Sequence, residues 1–190
     1  IQNLGELLNI PYPKRIEIFD NSNIQGTSSV SAMVTYIDGA AAPKEYRKYK
    51  VKTVEGADDF HTMLEVITRR YKRVITDNLI KPNLIIVDGG EPQVKAANLA
   101  LKEIGVDIPL IGLVKDDRHK TSGIITKDLK EIKIDKKSNL FLLLEAMQDE
   151  VHRFAITFFR KTASNNMLQS SLEKIDGIGK NRRLKLLSTF

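Results

Sequence analysis

Apolar and polar residues alternate with a strand-like period through the amino-terminal part of the chain. The pattern predicts three strands, at Lys14–Phe19, Val30–Ile37 and Glu45–Thr53. Turn residues at Gly26 and at Asp38–Gly39 separate them. Because connections this short join antiparallel neighbours, the three strands should open the sheet in antiparallel order.

In the middle of the chain, the spacing of apolar residues alternates between helical and strand-like. Apolar residues three and four positions apart predict a helix from Asp58 to about Val74. A short apolar run at Leu84–Val87 predicts a buried strand. A helix at Pro92–Ile104, with proline near its first turn, and a strand at Leu110–Val114 follow it. Strands that alternate with helices predict parallel pairing in this half of the sheet.

The carboxy-terminal third begins with polar residues 116–137, whose two short alternating pieces predict an exposed hairpin. Ser138 is placed to cap a long helix that carries an apolar stripe at spacings of three and four residues. The polar segment Asn165–Ser171 is predicted to be a linker, which divides the chain into a domain of residues 1–164 and a small helical piece of residues 165–190. The order of elements predicts an α/β fold with a mixed sheet flanked by helices.

The composition excludes several classes of protein. Hydrophobic residues make up 42% of the 190 positions, which is enough for the core of one domain with a small appendage. The chain has no cysteine, so disulfides and thiolate metal sites are excluded. No apolar run approaches the ~20 residues of a membrane span, and no signal peptide is recognisable, so we expect no membrane association. The chain does not begin with methionine, which indicates a fragment.

The charge is basic and unevenly distributed. The net charge of +6 and the pI near 9.4 favour a polyanionic partner. Cations concentrate in three segments, Lys44–Lys52, Arg69–Arg73 and Ser170–Phe190. One such segment is usually only a solvated face, but three of them around a cluster of carboxylates indicate a track for a phosphate backbone.

Two apolar strands end in an aspartate beside small residues, and these carboxylates are the leading candidates for chemistry. Asp20 ends RIEIFD and Asp88 ends NLIIVD. Carboxylates that lie side by side at strand ends are unfavourable unless a cation separates them, which predicts a divalent metal site for phosphate chemistry. The alternative is that each is an ordinary turn aspartate.

Four segments resemble the carboxy-terminal half of UvrC, the bacterial excision-repair nuclease subunit: FDNSNIQG, YRKYKVKTVEGADDF, LIIVDGGEPQ and DEVHRFAI. The similarity is co-linear from about Pro13 to Phe190, and the order of elements resembles the ribonuclease H-like fold. In that fold the first and fourth strands are neighbours, so the resemblance implies that Asp20 lies beside Asp88. It also implies a cytoplasmic endonuclease that uses Mg²⁺ or Mn²⁺ to make the 5′ incision in damaged double-stranded DNA loaded by UvrB.

The resemblance assigns four catalytic residues, Asp20, Asp59, Asp88 and His152, and implies that Asp20, Asp88 and His152 bind the metal. Asp59 also fits a helix amino terminus, where the helix dipole favours a carboxylate. His152 also fits an ordinary position at the boundary of a core. Ligation of the metal, orientation of water and protonation of the leaving group all remain open for His152, as does the choice between one metal and two.

The chain departs from much of the family at Gln148 and Phe159, where arginine and histidine are expected. We expect these departures to affect contacts on the helix surface and not the metal ligands.

The end of the chain, SSLEKIDGIGKNRRLKLLSTF, resembles a helix-hairpin-helix motif. Gly177 and Gly179 would expose backbone N–H groups to a DNA phosphate, with Lys180, Arg182 and Arg183 supplying positive charge. The alternative is a plain helix-turn-helix packing unit. In the family this motif is the first of a pair, and the second is absent from this sequence.

Two other functions remain open. The chain could be a DNA-binding module without catalysis, which would show no metal-dependent nicking. It could also be a ribonuclease H-like nuclease that acts on RNA-containing substrate, which would require RNA in the substrate.

Overall fold

The computed structural model describes residues 1–22, 30–54, 58–115 and 121–173. Within these ranges the chain forms four α-helices, eight strands and one 3₁₀ turn. The helices are α1 (Gln2–Leu8), α2 (Asp59–Thr76), α3 (Glu91–Glu103) and α4 (Asn139–Glu173). The strands are β1 (Arg15–Ser22), β2 (Val30–Ile37), β3 (Ala40–Ala41), β4 (Arg47–Lys50), β5 (Leu84–Val87), β6 (Leu110–Lys115), β7 (Thr121–Thr126) and β8 (Glu131–Lys133). None of the helices in these ranges is long and apolar enough to cross a membrane.

All of these strands belong to one mixed sheet, in the order β3-β2-β1-β5-β6-β7-β8, with β4 also paired to β2. The pairs β1–β5 and β5–β6 are parallel, and the remaining pairs are antiparallel. The predicted mixed sheet is therefore confirmed. Phe19 is opposite Val87 across β1 and β5, so the two strands end side by side.

Helices cover both faces of the sheet. On one face α2 and α3 pack against a core that contains Phe19, Met33 and Val87. On the other face α1 and α4 pack against a core that contains Ile18 and Ile86. The strand order places β1 and β5 inside the sheet. Both strands have apolar residues on both faces, as expected for strands that helices cover on both sides.

Side chains cap the two longest helices, and the cap at Ser138 is the one that the sequence predicts. Asp58 Oδ1 accepts the backbone N–H of His61 at the start of α2, at 3.0 Å. Ser138 Oγ accepts the backbone N–H of Phe141 at the start of α4, at 3.1 Å. Both bonds satisfy amide groups that have no partner within the first turn of a helix.

The third predicted strand, Glu45–Thr53, is shorter in the structure, where only Arg47–Lys50 forms a strand. A 3₁₀ turn at Pro43–Glu45 separates the two-residue β3 from β4, which ends at Lys50. Proline lacks an N–H and fixes φ, so it breaks the ladder at this point. The short helix α1 had no recognisable pattern in the sequence, since it contains Gly5 and spans only Gln2–Leu8.

The predicted linker Asn165–Ser171 is helical, because α4 continues without interruption to Glu173. This segment contains neither glycine nor proline, so no residue in it terminates α4. The amino-terminal part of α4 packs on the sheet, and the helix can extend from there at little cost. The division of the chain at residue 164 stays a prediction. The helix-hairpin-helix residues, from Gly177 to Arg183, lie outside the described residues.

Candidate metal centre

The carboxylates of Asp20 and Asp88 meet because their strands are parallel neighbours. Asp20 lies near the end of β1, and Asp88 directly follows β5. The backbone N–H of Asp88 donates to the carbonyl oxygen of Phe19 at 2.8 Å, which continues the ladder one residue beyond the strand. The sheet thus places both side chains at one edge, as the resemblance to the ribonuclease H-like fold implies.

Helix α4 brings His152 to these carboxylates. Val151 is buried in the core under α4, so the next residue along the helix lies at the rim of that contact. His152 Nδ1 is 3.3 Å from Asp20 Oδ2. One ligand atom from each of Asp20, Asp88 and His152 lies within 4.8 Å of the others, a grouping that could hold a metal ion.

Electrostatics favours a cation at this cluster. Burial and, to a smaller extent, the nearby charge of Asp88 raise the pKa of Asp20 to about 6, against the lowering effects of His152 and Lys115. A carboxyl group with a raised pKa is one whose ionised form is poorly stabilised by its surroundings. The carboxylate oxygens are hard ligands, so the donor set is compatible with a divalent metal ion.

Gln148 takes part in the site, and the expectation that its departure from the family affects only the helix surface is wrong. Gln148 is buried, and its Nε2 donates to Asp88 Oδ1 at 2.5 Å. Its Oε1 accepts a hydrogen bond from the hydroxyl of Thr121, which is also buried. Because the hydroxyl faces the amide oxygen, the amide nitrogen is held towards Asp88.

A β-bulge explains how Thr121 reaches Gln148. The register between β6 and β7 shifts after Val114, so that Lys115 is opposite Thr121, where unbroken alternation would place Ser122. The two opposed side chains therefore share the face of the sheet that α4 covers. A period-two pattern assigns Thr121 to the opposite face, which is why the sequence did not indicate this contact.

Lys115 is a second site residue that the sequence reasoning missed. It is the last residue of β6, and its Nζ is 3.2 Å from Asp88. A detectable signal existed, because β6 is parallel to β5 and ends at the same edge of the sheet. The residue that ends a third parallel strand is positioned to meet the carboxylates that end its neighbours.

Asp59 lies apart from the three clustered residues. It is exposed in the first turn of α2, and its carboxylate does not belong to the group formed by Asp20, Asp88 and His152. Asn21 Nδ2 donates to the backbone carbonyl of Asp59 at 3.1 Å, and Asn21 follows Asp20, so this bond connects the start of α2 to β1 next to the site.

The cations of α2 are largely occupied by carboxylates. Arg70 is buried and donates to Glu17, which is fully buried in β1. Arg69 pairs with Glu65 within α2, and Arg73 pairs with Asp77, which directly follows α2. Arg70 therefore cannot contribute to the phosphate track that the sequence predicts for this segment.

The strand order and the two strand-end aspartates with a helical histidine define a domain of the ribonuclease H-like class. A family model for the UvrC RNAse H endonuclease domain matches residues 5–156. The chain belongs to the UvrC RNase H endonuclease domain family, as the resemblance of its motifs implied.

Whole-chain similarity gives the same result. The chain is 52% identical over 192 aligned residues to UvrABC system protein C of Streptococcus gordonii and, at the same identity, to that of Streptococcus sanguinis. In both cases the alignment covers 100% of this chain and 31% of the relative. The chain thus spans about a third of the length of these relatives.

Solved structures with a similar fold are more distant. Endonuclease V of Ciona intestinalis, bound to inosine-containing DNA, is 17% identical with a TM-score of 0.40, over 57% of this chain and 51% of that one. Argonaute of Marinitoga piezophila with guide RNA is 12% identical with a TM-score of 0.35, over 53% of this chain and 16% of that one.

Proposed function

We propose that this chain is the metal-dependent endodeoxyribonuclease that makes the 5′ incision in nucleotide excision repair, acting on damaged double-stranded DNA presented in a complex with UvrB. The single observation that carries the proposal is the convergence of Asp20, Asp88 and His152 at one edge of the sheet. Membership of the UvrC endonuclease family supports the reaction and the substrate.

We assign Mg²⁺ or Mn²⁺ to Asp20, Asp88 and His152. When bound, the metal supplies charge neutralisation and a more acidic water for attack on the phosphodiester. Asp20 and Asp88 contribute the oxygen ligands, and Gln148 fixes the orientation of Asp88. The ring of His152 is 58% exposed, so it can serve either as the third ligand or as a proton donor to the leaving oxygen.

Asp59 and the carboxy-terminal segment are assigned supporting roles. Asp59 is exposed beside the strand that carries Asp20, where its carboxylate can hold a water molecule of the metal or of the substrate. Gly177, Gly179, Lys180, Arg182 and Arg183 are proposed to bind the DNA backbone.

The test is incision of a lesion-containing duplex in a UvrABC reaction, with labels that distinguish the 5′ cut from the 3′ cut. Asp88→Asn and Asp20→Asn should each lower the rate of the 5′ cut by about 10³-fold or more, since each removes a charged ligand of the metal. Asp128→Asn, at an exposed turn away from the cluster, is the matched control and should cut normally.

Chelation of divalent ions should abolish the 5′ cut, and added Mn²⁺ or Mg²⁺ should restore it. A 5′ cut that survives in both Asp20→Asn and Asp88→Asn would contradict the proposal. A cut that appears only when the substrate contains ribonucleotides would favour the RNA-directed alternative, and DNA binding without any metal-dependent cut would favour the non-catalytic one.

A further inference from the structure

The ion pair between Lys115 and Asp88 joins a solvent-facing cation to a buried carboxylate. Nζ of Lys115 lies 3.2 Å from each oxygen of Asp88. The side chain of Asp88 is 2% exposed, whereas that of Lys115 is 40% exposed. The ammonium group therefore lies on the solvent side of Asp88, which is the side open to a substrate.

A metal bound by Asp20, Asp88 and His152 would compete with this ion pair. Oδ1 of Asp88 already accepts from Gln148, and both of its oxygens are within reach of the ammonium group. A divalent cation and an ammonium group on the same carboxylate repel each other at short range. Lys115 ends a strand and has a flexible four-carbon side chain, so its ammonium group can leave Asp88 without a change in the sheet.

We propose that Lys115 is a catalytic residue of this site: its ammonium group neutralises Asp88 in the metal-free protein and contacts the cleaved DNA phosphate when the metal is bound. The inference rests on the proposed function. Two carboxylates and one divalent cation are together neutral, so the positive charge of Lys115 is left to balance the phosphodiester. The negative charge on that phosphate increases in the transition state, where a cation at its oxygens lowers the barrier most.

A purely structural role for Lys115 predicts a different outcome. If the ammonium group only holds Asp88 in place, its removal should weaken metal binding and slow incision together. If it competes with the metal and then contacts the phosphate, its removal should tighten metal binding while it slows incision. Only the proposal predicts that loss of the ammonium group raises the affinity for the metal and lowers the rate of incision.

The experiment combines a Mn²⁺ titration of the metal-free chain by calorimetry, without DNA, with single-turnover 5′ incision in a UvrABC reaction. Lys115→Met should bind Mn²⁺ several-fold more tightly and cut about 10- to 100-fold more slowly. Lys115→Gln should behave in the same way, and Lys115→Arg, which keeps the charge, should retain wild-type Mn²⁺ affinity and part of the rate. Lys102→Met removes the same charge from the exposed surface of α3, on the other face of the sheet, and should change neither quantity.

An unchanged incision rate in both neutral variants would overturn the proposal, as would Mn²⁺ affinity and incision rate that fall together. If the wild-type chain makes no 5′ incision, the proposed function fails, and the Mn²⁺ titration still decides whether Lys115 competes with the metal. In that case, neutral variants of Lys115 that bind Mn²⁺ no more tightly than the wild type would overturn the proposal for Lys115.

Discussion

The side-chain amide of Gln148 donates to Oδ1 of Asp88 across 2.5 Å, and this bond links α4 to the end of β5. The hydroxyl of Thr121 holds the other end of the same amide. Three elements that are distant in sequence thus fix one oxygen of a proposed metal ligand. Hydrogen bonds of this kind orient a ligand and raise its affinity for the metal.

Removal of the amide should therefore weaken metal binding without unfolding the domain. We expect Gln148→Leu to lower Mn²⁺ affinity by about 10- to 100-fold, because Asp88 loses the donor that orients it. Thr121→Val should have a smaller effect in the same direction, and Thr121→Ser, which keeps the hydroxyl, should behave as the wild type. Calorimetric titration of the metal-free protein measures these affinities.

Gln2→Leu is the control for that series, since Gln2 is exposed on α1 and bonds only locally to Glu6 among the described residues. Equal Mn²⁺ affinity in Gln148→Leu and in the wild type would show that Asp88 is oriented by its backbone alone.

The site was predictable from the sequence where it depends on strand ends, and unpredictable where it depends on side chains that meet across the fold. Asp20 and Asp88 each end an apolar run, and the resemblance to the ribonuclease H-like fold implied that their strands are neighbours, as the structure shows. Gln148 has no comparable signal, because its partner Thr121 reaches it only through a bulge. Its position in the helical pattern of α4 is equally compatible with an exposed polar residue.

The same distinction applies to charge. The sequence shows where cations are concentrated, but it does not show which of them have buried partners. Arg70 belongs to a basic segment, yet it is committed to Glu17 on a strand 53 residues away. Pairing over that distance is set by how α2 packs on the sheet, which no local pattern records.

The raised pKa of Asp20 predicts how the stability of the metal-free protein depends on pH. The pKa is about 6 in the folded protein and 3.8 for the unperturbed group, so ionisation of Asp20 opposes folding. The free energy of unfolding should fall as the pH rises from about 4 to about 6, by an amount on the order of 2 kcal/mol from this group. Asp20→Asn removes that loss and should be more stable than the wild type at pH 7.5, but not at pH 4.

Thermal unfolding in the presence of a chelator at the two pH values measures this difference. Added Mn²⁺ should raise the Tm of the wild type more than that of Asp20→Asn, because a ligand that binds only the folded state stabilises it. A difference in stability that is the same at pH 4 and pH 7.5 would show that the effect comes from packing and not from charge.

Loss of Arg70 from its buried ion pair with Glu17 should strongly destabilise the fold. Glu17 also accepts from Arg15 and from the hydroxyl of Tyr71, so loss of Arg70 leaves a buried carboxylate with fewer partners. We expect Arg70→Met to lower the free energy of unfolding by about 3–5 kcal/mol. Lys72→Met, two residues away and exposed, should change it by less than about 0.5 kcal/mol.

Urea unfolding monitored by circular dichroism gives these values. If Arg70→Met were as stable as the wild type but bound DNA more weakly, Arg70 would belong to the DNA-binding surface after all.

The predicted helix-hairpin-helix segment should bind the DNA backbone without reading its sequence. The proposed contacts are backbone N–H groups at Gly177 and Gly179 together with cationic side chains, and neither kind of contact distinguishes one base from another. Replacement of both Arg182 and Arg183 by glutamine should weaken binding about equally on several duplex sequences. It should also reduce the slope of log K against log salt concentration by about 2, because binding releases about one counterion fewer for each phosphate contact that is lost.

Fluorescence anisotropy at several salt concentrations measures the slope. The double variant Lys127→Gln and Lys130→Gln, on the loop between β7 and β8, removes the same charge and is the control. A strong preference for one sequence, or an unchanged slope, would contradict this prediction.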